Sequence, residues 1–179
     1  MSASTTTLAR YDGVARFLHW LIVALVAAQF VLGWTMPHVG RGTQPVGLVG
    51  AHVLVGTTLL AVMVCRIVWR LTHRPPLIEI ARPLRVVSSL TQFALYVLLV
   101  VVPVLGWINA SSRGWPIRLF AALPLPALAP QGSSFGHAMG DIHGDLAWVL
   151  FALICLHVAG ALAHQLVFRD RVMQRMMWW

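Results

Sequence analysis

The chain has 179 residues, 59% of them hydrophobic and 10% charged, with a mean hydropathy of +0.79. That balance lies outside the soluble globular range and is that of a small membrane protein built as one helical bundle. The net charge is +8 and every basic residue is an arginine. The arginines stand at the ends of apolar runs, so membrane orientation accounts for them and nucleic acid is set aside as a partner.

Residues 1–15 are polar and read as a loose tail. The first apolar run, 16–36, is RFLHWLIVALVAAQFVLGWTM, with His19 one turn inside its start. It is longer than a signal-peptide core and has no small-x-small cleavage site, so a retained helix is expected. Pro37 and the following glycines end it. The second run, 47–71, carries His52 near its start and Arg66 near its end. A basic, proline-broken loop leads to the third run, 86–110, which has no histidine and which Pro103 is expected to kink. Residues 111–141 are rich in Pro, Gly and Ala, too broken to span, and read as an external loop with a short surface helix. The fourth run, 142–167, is followed by RDRVMQRMMWW, basic and suited to the membrane surface. Each run is long enough to cross a bilayer, which takes about 20 residues. The expected fold is all-α, a transmembrane four-helix bundle.

With four spans, both termini and the middle loop share one side. Arg10, Arg16, Arg66, Arg70, Arg74, Arg82, Arg85, Arg169, Arg171 and Arg175 fall there, against Arg41, Arg113 and Arg118 on the other. The positive-inside rule then makes the termini cytoplasmic. Trp20, Trp34, Trp69, Trp107 and Trp148 fall near span ends, as an aromatic belt would. Cys65 and Cys155 lie inside apolar runs, read as small core residues, and no CxxCH is present for covalent haem attachment.

The informative residues are the intramembrane histidines, since ionisable side chains at that depth are costly and face the protein interior. The last run holds His143, His157 and His164. Spacings of 14 and 7 residues return to within roughly 40° and 20° of one helix face, and 14 residues rise about 21 Å. His143 and His157 thus share a face at opposite depths. His52 sits at the external depth with His143, and His19 at the cytoplasmic depth with His157. Two imidazoles at each level point to two b haems, the iron of each held by a histidine pair. Such a haem has no open position and suits electron transfer. His164, one to two turns further on, either snorkels to headgroups or hydrogen-bonds a quinone carbonyl. His38, His73 and His137 read as solvated loop residues.

Haem propionates want arginine partners. Arg16, three residues before His19, and Arg66, on the His52 face, are candidates at the cytoplasmic level, where simple positive-inside topology also accounts for them. Arg113 and Arg118 at the external end could hold propionates or attract an anionic electron donor.

These residues resemble the bacterial cytochrome b561 family of four-helix di-haem membrane proteins. The matching pieces are R-F-L-H-W (16–20), A-H-V-L-V-G (51–56), V-C-R-I-V-W-R-L (64–71), Y-V-L-L-V-V-V-P-V-L-G (96–106), S-R-G-W-P (112–116), D-I-H (141–143) and L-H-V-A-G-A-L-A-H (156–164). The resemblance spans residues 10–177. It implies haem ligation at His19, His52, His143 and His157 and electron exchange with ubiquinone. It is nearest to the superoxide oxidase members, which pass an electron from periplasmic superoxide to quinone, and the A-L-A-H match carries His164 to a quinone site. Gln92 stands where some relatives have histidine.

The expected function is therefore electron transfer across the membrane from a periplasmic one-electron donor, superoxide or a redox partner, to ubiquinone: a superoxide:quinone oxidoreductase. Two alternatives stand beside it: a cytochrome b anchor subunit for a dehydrogenase or hydrogenase, and a non-redox, histidine-lined metal transporter.

Overall fold

The computed structural model describes residues 10–40, 42–73, 82–170 and 172–178. Arg41, Arg74 and Arg171, used in the orientation count, lie outside them. Four long helices run through the chain: α1 Gly13–Thr35, α2 Gly47–Thr72, α3 Arg82–Ser112 and α4 Ser134–Ala163. All four are long and apolar enough to cross a membrane. Large apolar side chains such as Phe17, Val31, Val68, Phe93 and Leu162 stand exposed on the outside, the inverse of a water-soluble bundle.

Helix α1 starts earlier than the expected 16–36 because Asp12 caps it: its carboxylate accepts the Ala15 N–H at 2.8 Å. The same carboxylate accepts the Trp69 indole N–H at 3.1 Å, tying α1 to the end of α2. Partial burial works to raise the Asp12 pKa, but these hydrogen bonds and the field of His73 outweigh it, so the group stays below its usual 3.8. The tie is thus present at neutral pH and fades only as acid protonates the folded carboxylate. Helix α3 runs unbroken through Pro103. It also extends past 110, because Ser111 and Ser112 turn their hydroxyls onto the carbonyls of Trp107 and Asn109.

The region expected as a loop over 111–141 is shorter and built differently. In place of a surface helix it forms a two-stranded antiparallel hairpin, β1 Arg118–Leu119 with β2 Leu123–Pro124. Its α4-proximal quarter is helix, with the Ser133 hydroxyl capping the Gly136 N–H at 3.2 Å. Polar and glycine-rich residues helicise there because α3 packs against them: a Cβ built on Gly136 would lie 2.3 Å from the Ser112 Cβ, and one on Gly140 2.7 Å from the Asn109 amide. At the other end α4 does not run regularly to 167. It loosens into a π turn, His164–Phe168, closed by Arg169 in the left-handed region at φ 53°. A 3-10 turn, Met173–Arg175, follows.

The core is a thin middle layer: Ile22 and Val26 of α1, Leu59 and Met63 of α2, Leu95 and Leu99 of α3, and Leu150 of α4. Cys65 and Cys155, expected in the core, are free thiols on the bundle's outer surface. Helices α1 and α4 meet through side chains: Phe30, Trp34, Trp148 and Phe151 form one aromatic cluster, with Trp34 stacked on Trp148 at 6.1 Å. Replacing Gly136 by alanine should destabilise the bundle by about 1–3 kcal/mol, the cost of overpacking a closed contact. Gly13→Ala, into open space, should stay within about 0.5 kcal/mol; thermal unfolding in detergent checks the contrast.

Candidate haem-binding site

The middle layer lies between two levels of facing imidazoles. His52 and His143 stand with ring centres 6.0 Å apart at one level, and His19 and His157 with ring centres 6.5 Å apart at the other. Along α4 the sequence reads His143, Leu150, His157, His164, one residue every seven. At the α-helical rise, His143 and His157 are about 21 Å apart, and the core residue Leu150 falls midway. Helix α1 carries the same 14-residue interval: His19 meets His157, and Gly33 lies against the His52 ring, which a Cβ would approach to 3.7 Å.

Glycine and a backbone carbonyl position the His143 ring. Its Nδ1 donates to the Val102 carbonyl at 2.8 Å, and it reaches α3 only because Gly106 has no side chain: a Cβ there would lie 3.1 Å from Nδ1 and Cε1. A ligating histidine is characteristically held this way, by a hydrogen bond from its other nitrogen. That contact fixes the tautomer and leaves Nε2 unprotonated in the neutral ring. On His52, Nδ1 is buried and has no hydrogen-bond partner among the described residues.

Do these residues fit a haem? An imidazole nitrogen bonds a first-row metal at about 2 Å, and the ring centre lies about 1 Å behind it. Two axial imidazoles on one iron therefore set their ring centres about 6 Å apart, as both pairs are. Among the described residues no three His, Cys, Asp or Glu converge on one point. A bare ion such as zinc would want about four protein ligands; a porphyrin supplies four nitrogens and asks the protein for two. The pairs fit the second case.

The arginines fall at the two ends. Arg66 donates from Nε to the Tyr96 hydroxyl and from Nη1 to the Ala15 carbonyl, each at 3.0 Å, one turn from His19. Arg16 donates to the Met177 carbonyl at 3.1 Å, and its guanidinium lies 4.6 Å over the Trp178 ring. Trp20 donates to the Met176 carbonyl at 3.0 Å, so the chain's last residues fold back under α1 beside the His19 level. A cavity of about 500 Å³ opens at this end, between Arg66, Tyr96, Trp69 and Asp12. At the opposite end Arg113 donates to the Gly40 carbonyl at 2.9 Å and to the Asn109 amide oxygen at 3.3 Å. Arg118 is exposed on β1, and its carbonyl accepts from Thr57. A second cavity, of about 570 Å³, is lined by Arg113, Trp115, Gln131, His137 and Asp141. His137, expected in a loop, is in the first turn of α4, and His73 closes α2 and stacks on Trp69 at 3.8 Å. His164 is buried and bonds Asp170, a residue that sequence reasoning passed over. Only an acidic residue six positions past a histidine signalled it, and regular helix would have put the two on different faces. Gln92 lies on α3, which carries no histidine of either pair.

A four-helix membrane bundle whose histidines face each other in pairs, at the separation one iron requires, is the framework of a membrane cytochrome. The chain belongs to the prokaryotic cytochrome b561 family, whose model matches residues 10–179. It is similar to cytochrome b561 homolog 2 of Escherichia coli, 27% identical over 176 residues covering 97% of this chain and 94% of the relative. It is also similar to cytochrome b562 of Cereibacter sphaeroides, 31% identical over 166 residues covering 89% and 90% of the two chains. Members of this family bind b haem and transfer electrons, and this chain is a multi-pass membrane cytochrome. Gly106→Val should drive a side chain into the His143 ring and lower the haem recovered per chain by about half if each pair holds one haem. A pyridine haemochrome assay, normalised to helix content by circular dichroism, measures it.

Proposed function

We propose that the chain holds two b haems, one between His52 and His143 and one between His19 and His157. They link a one-electron donor outside the bacterial inner membrane to ubiquinone at its cytoplasmic side. The observation that carries this is the pair of imidazole pairs, each at haem-spanning separation, at two levels of one membrane bundle. A haem held by two histidines supplies one-electron transfer and leaves no open position for a ligand. The residues around it do the rest. Val102 and Gly106 hold His143 in the ligating tautomer, and the aliphatic middle layer keeps water out between the two levels.

The favoured donor is superoxide, which is small and anionic and gives up its electron without binding iron. Arg113 and Arg118 stand at the external end under this orientation, Arg113 in the wall of the 570 Å³ cavity and Arg118 exposed on β1. Asp141 and Asp145 stand at the same end and offset the overall field, so steering is local to the two guanidiniums. Arg16 and Arg66 are the propionate candidates at the inner level. Arg66 bonds the Ala15 carbonyl, one turn before His19, while Arg16 is already held by the C-terminal residues. His164 is the quinone-binding candidate: buried, held at Nδ1 by Asp170, and about 10 Å beyond His157 by helix rise. The family match, the arginine bias and the A-L-A-H motif support the orientation and the quinone end. Acting together, these parts make a superoxide:ubiquinone oxidoreductase.

Purified protein should carry two b haems per chain. Superoxide from xanthine oxidase should reduce them faster than self-dismutation removes it; reduction no faster than that rules the donor out. His143→Ala should lose the outer haem alone and His19→Ala the inner alone, read by haemochrome assay and redox titration. Loss of both from either well-expressed variant would refute the pairing. Arg118→Glu should slow superoxide reaction several-fold at low salt, with the difference shrinking as ionic strength approaches about 0.5 M.

A further inference from the structure

At the end of α4 the helix changes character at one residue. Regular α-helix stops at Ala163, His164 opens a π turn, and Arg169 adopts the left-handed conformation. The effect is to bring Asp170 back onto His164. The Asp170 N–H donates to the His164 carbonyl at 3.3 Å, and the His164 Nδ1 meets Asp170 Oδ2 at 2.5 Å. Asp170 Oδ1 accepts the Val172 N–H at 3.2 Å, which fixes the carboxylate. The His164 side chain is 11% exposed, with Phe168 beside it at 5.4 Å. π turns of this kind gather at functional sites because they re-aim a side chain within an otherwise regular helix.

We propose that Asp170 is a positioning residue that makes His164 the proton donor for quinone reduction; this rests on the quinone reading above. A carboxylate on Nδ1 holds that proton in place and stabilises the imidazolium, so proton exchange is confined to Nε2. Reduction of one quinone takes two electrons from two molecules of the one-electron donor, which are oxidised, and two protons. With superoxide, two superoxide, one quinone and two protons give two dioxygen and one quinol. For at least one of the two protons, the Nε2–H bond of His164 breaks and an O–H bond forms on a quinone carbonyl oxygen. The neutral ring then regains a proton from water at the cytoplasmic surface. A purely structural Asp170, closing the turn through Val172, would need its hydrogen bonds but not its charge.

Asp170→Asn separates the two roles, since the amide keeps an acceptor and loses the charge. In full-length, haem-loaded protein we expect unchanged haem content and unchanged haem reduction by the external donor. Reoxidation by ubiquinone-1 should fall about tenfold in kcat with KM within about twofold. Added to His164→Ala, it should cause no further loss, because the two residues act as one unit. Asp170→Glu, which keeps the charge, should recover most of the rate, and it serves as the readout if the asparagine variant folds poorly. An unchanged kcat in Asp170→Asn, a glutamate variant as slow as the asparagine one, or additive losses in the double variant would overturn the proposal. Wild-type protein whose haems ubiquinone-1 does not reoxidise would instead sink the quinone reading, and this proposal with it.

Discussion

An imidazole inside a bilayer has polar nitrogens that lipid cannot satisfy. This bundle answers that constraint by facing its intramembrane histidines toward one another in twos. His52 and His143 meet at one level, His19 and His157 at the other, and seven aliphatic side chains fill the layer between. The spacing along α4 sets the scale. Fourteen residues nearly complete four turns, so two rings on one helix share a face while standing about 21 Å apart. The other helices have only to present one histidine each at the matching depth, α1 low and α2 high. Helix α3 contributes no ring but shapes the site. Its Gly106 clears space for His143 and its Val102 carbonyl holds that ring's outer nitrogen.

The two ends of the bundle are finished by different means. At the end carrying the termini, the last residues of the chain fold back on α1: Met176 and Met177 carbonyls take hydrogen bonds from Trp20 and Arg16, and Trp178 lies under the Arg16 guanidinium. Asp12 ties α1 to α2 there through Trp69. At the opposite end Arg113 joins the loop after α1 to the end of α3, and Trp115 donates to the Thr43 carbonyl at 3.1 Å. Both ends therefore rest on indole and guanidinium donors reaching backbone carbonyls. That suits a place where the chain leaves lipid and few other partners are available.

Apolar runs with histidines 14 residues apart were enough to read four helices, their depths and the pairing of rings, because helical rise converts residue number into depth. The same reasoning failed where tertiary contact outweighs local composition. Ser134–Asp141, glycine-rich and polar, reads as loop. It is helix because Gly136 and Gly140 sit against Ser112 and Asn109 and no side chain stands between. The hairpin over 118–124 has no alternation long enough to announce it. Cys65 and Cys155 looked like core residues, but in a membrane bundle apolar character does not tell inside from outside, since lipid accepts both.

What the amino-acid order determined by itself was the class of molecule, the number of helices and which histidines share a level. These follow from hydropathy and from 1.5 Å of rise per residue, both local properties. Only the tertiary structure decided which nitrogen of His143 is held and by what, that Arg16 is engaged by the chain's own C-terminus, and that Asp170 reaches His164. Each of these depends on a backbone departure or a missing side chain on another helix. The π turn at 164, the left-handed Arg169 and the bare Cα of Gly106 leave no periodic mark in the chain.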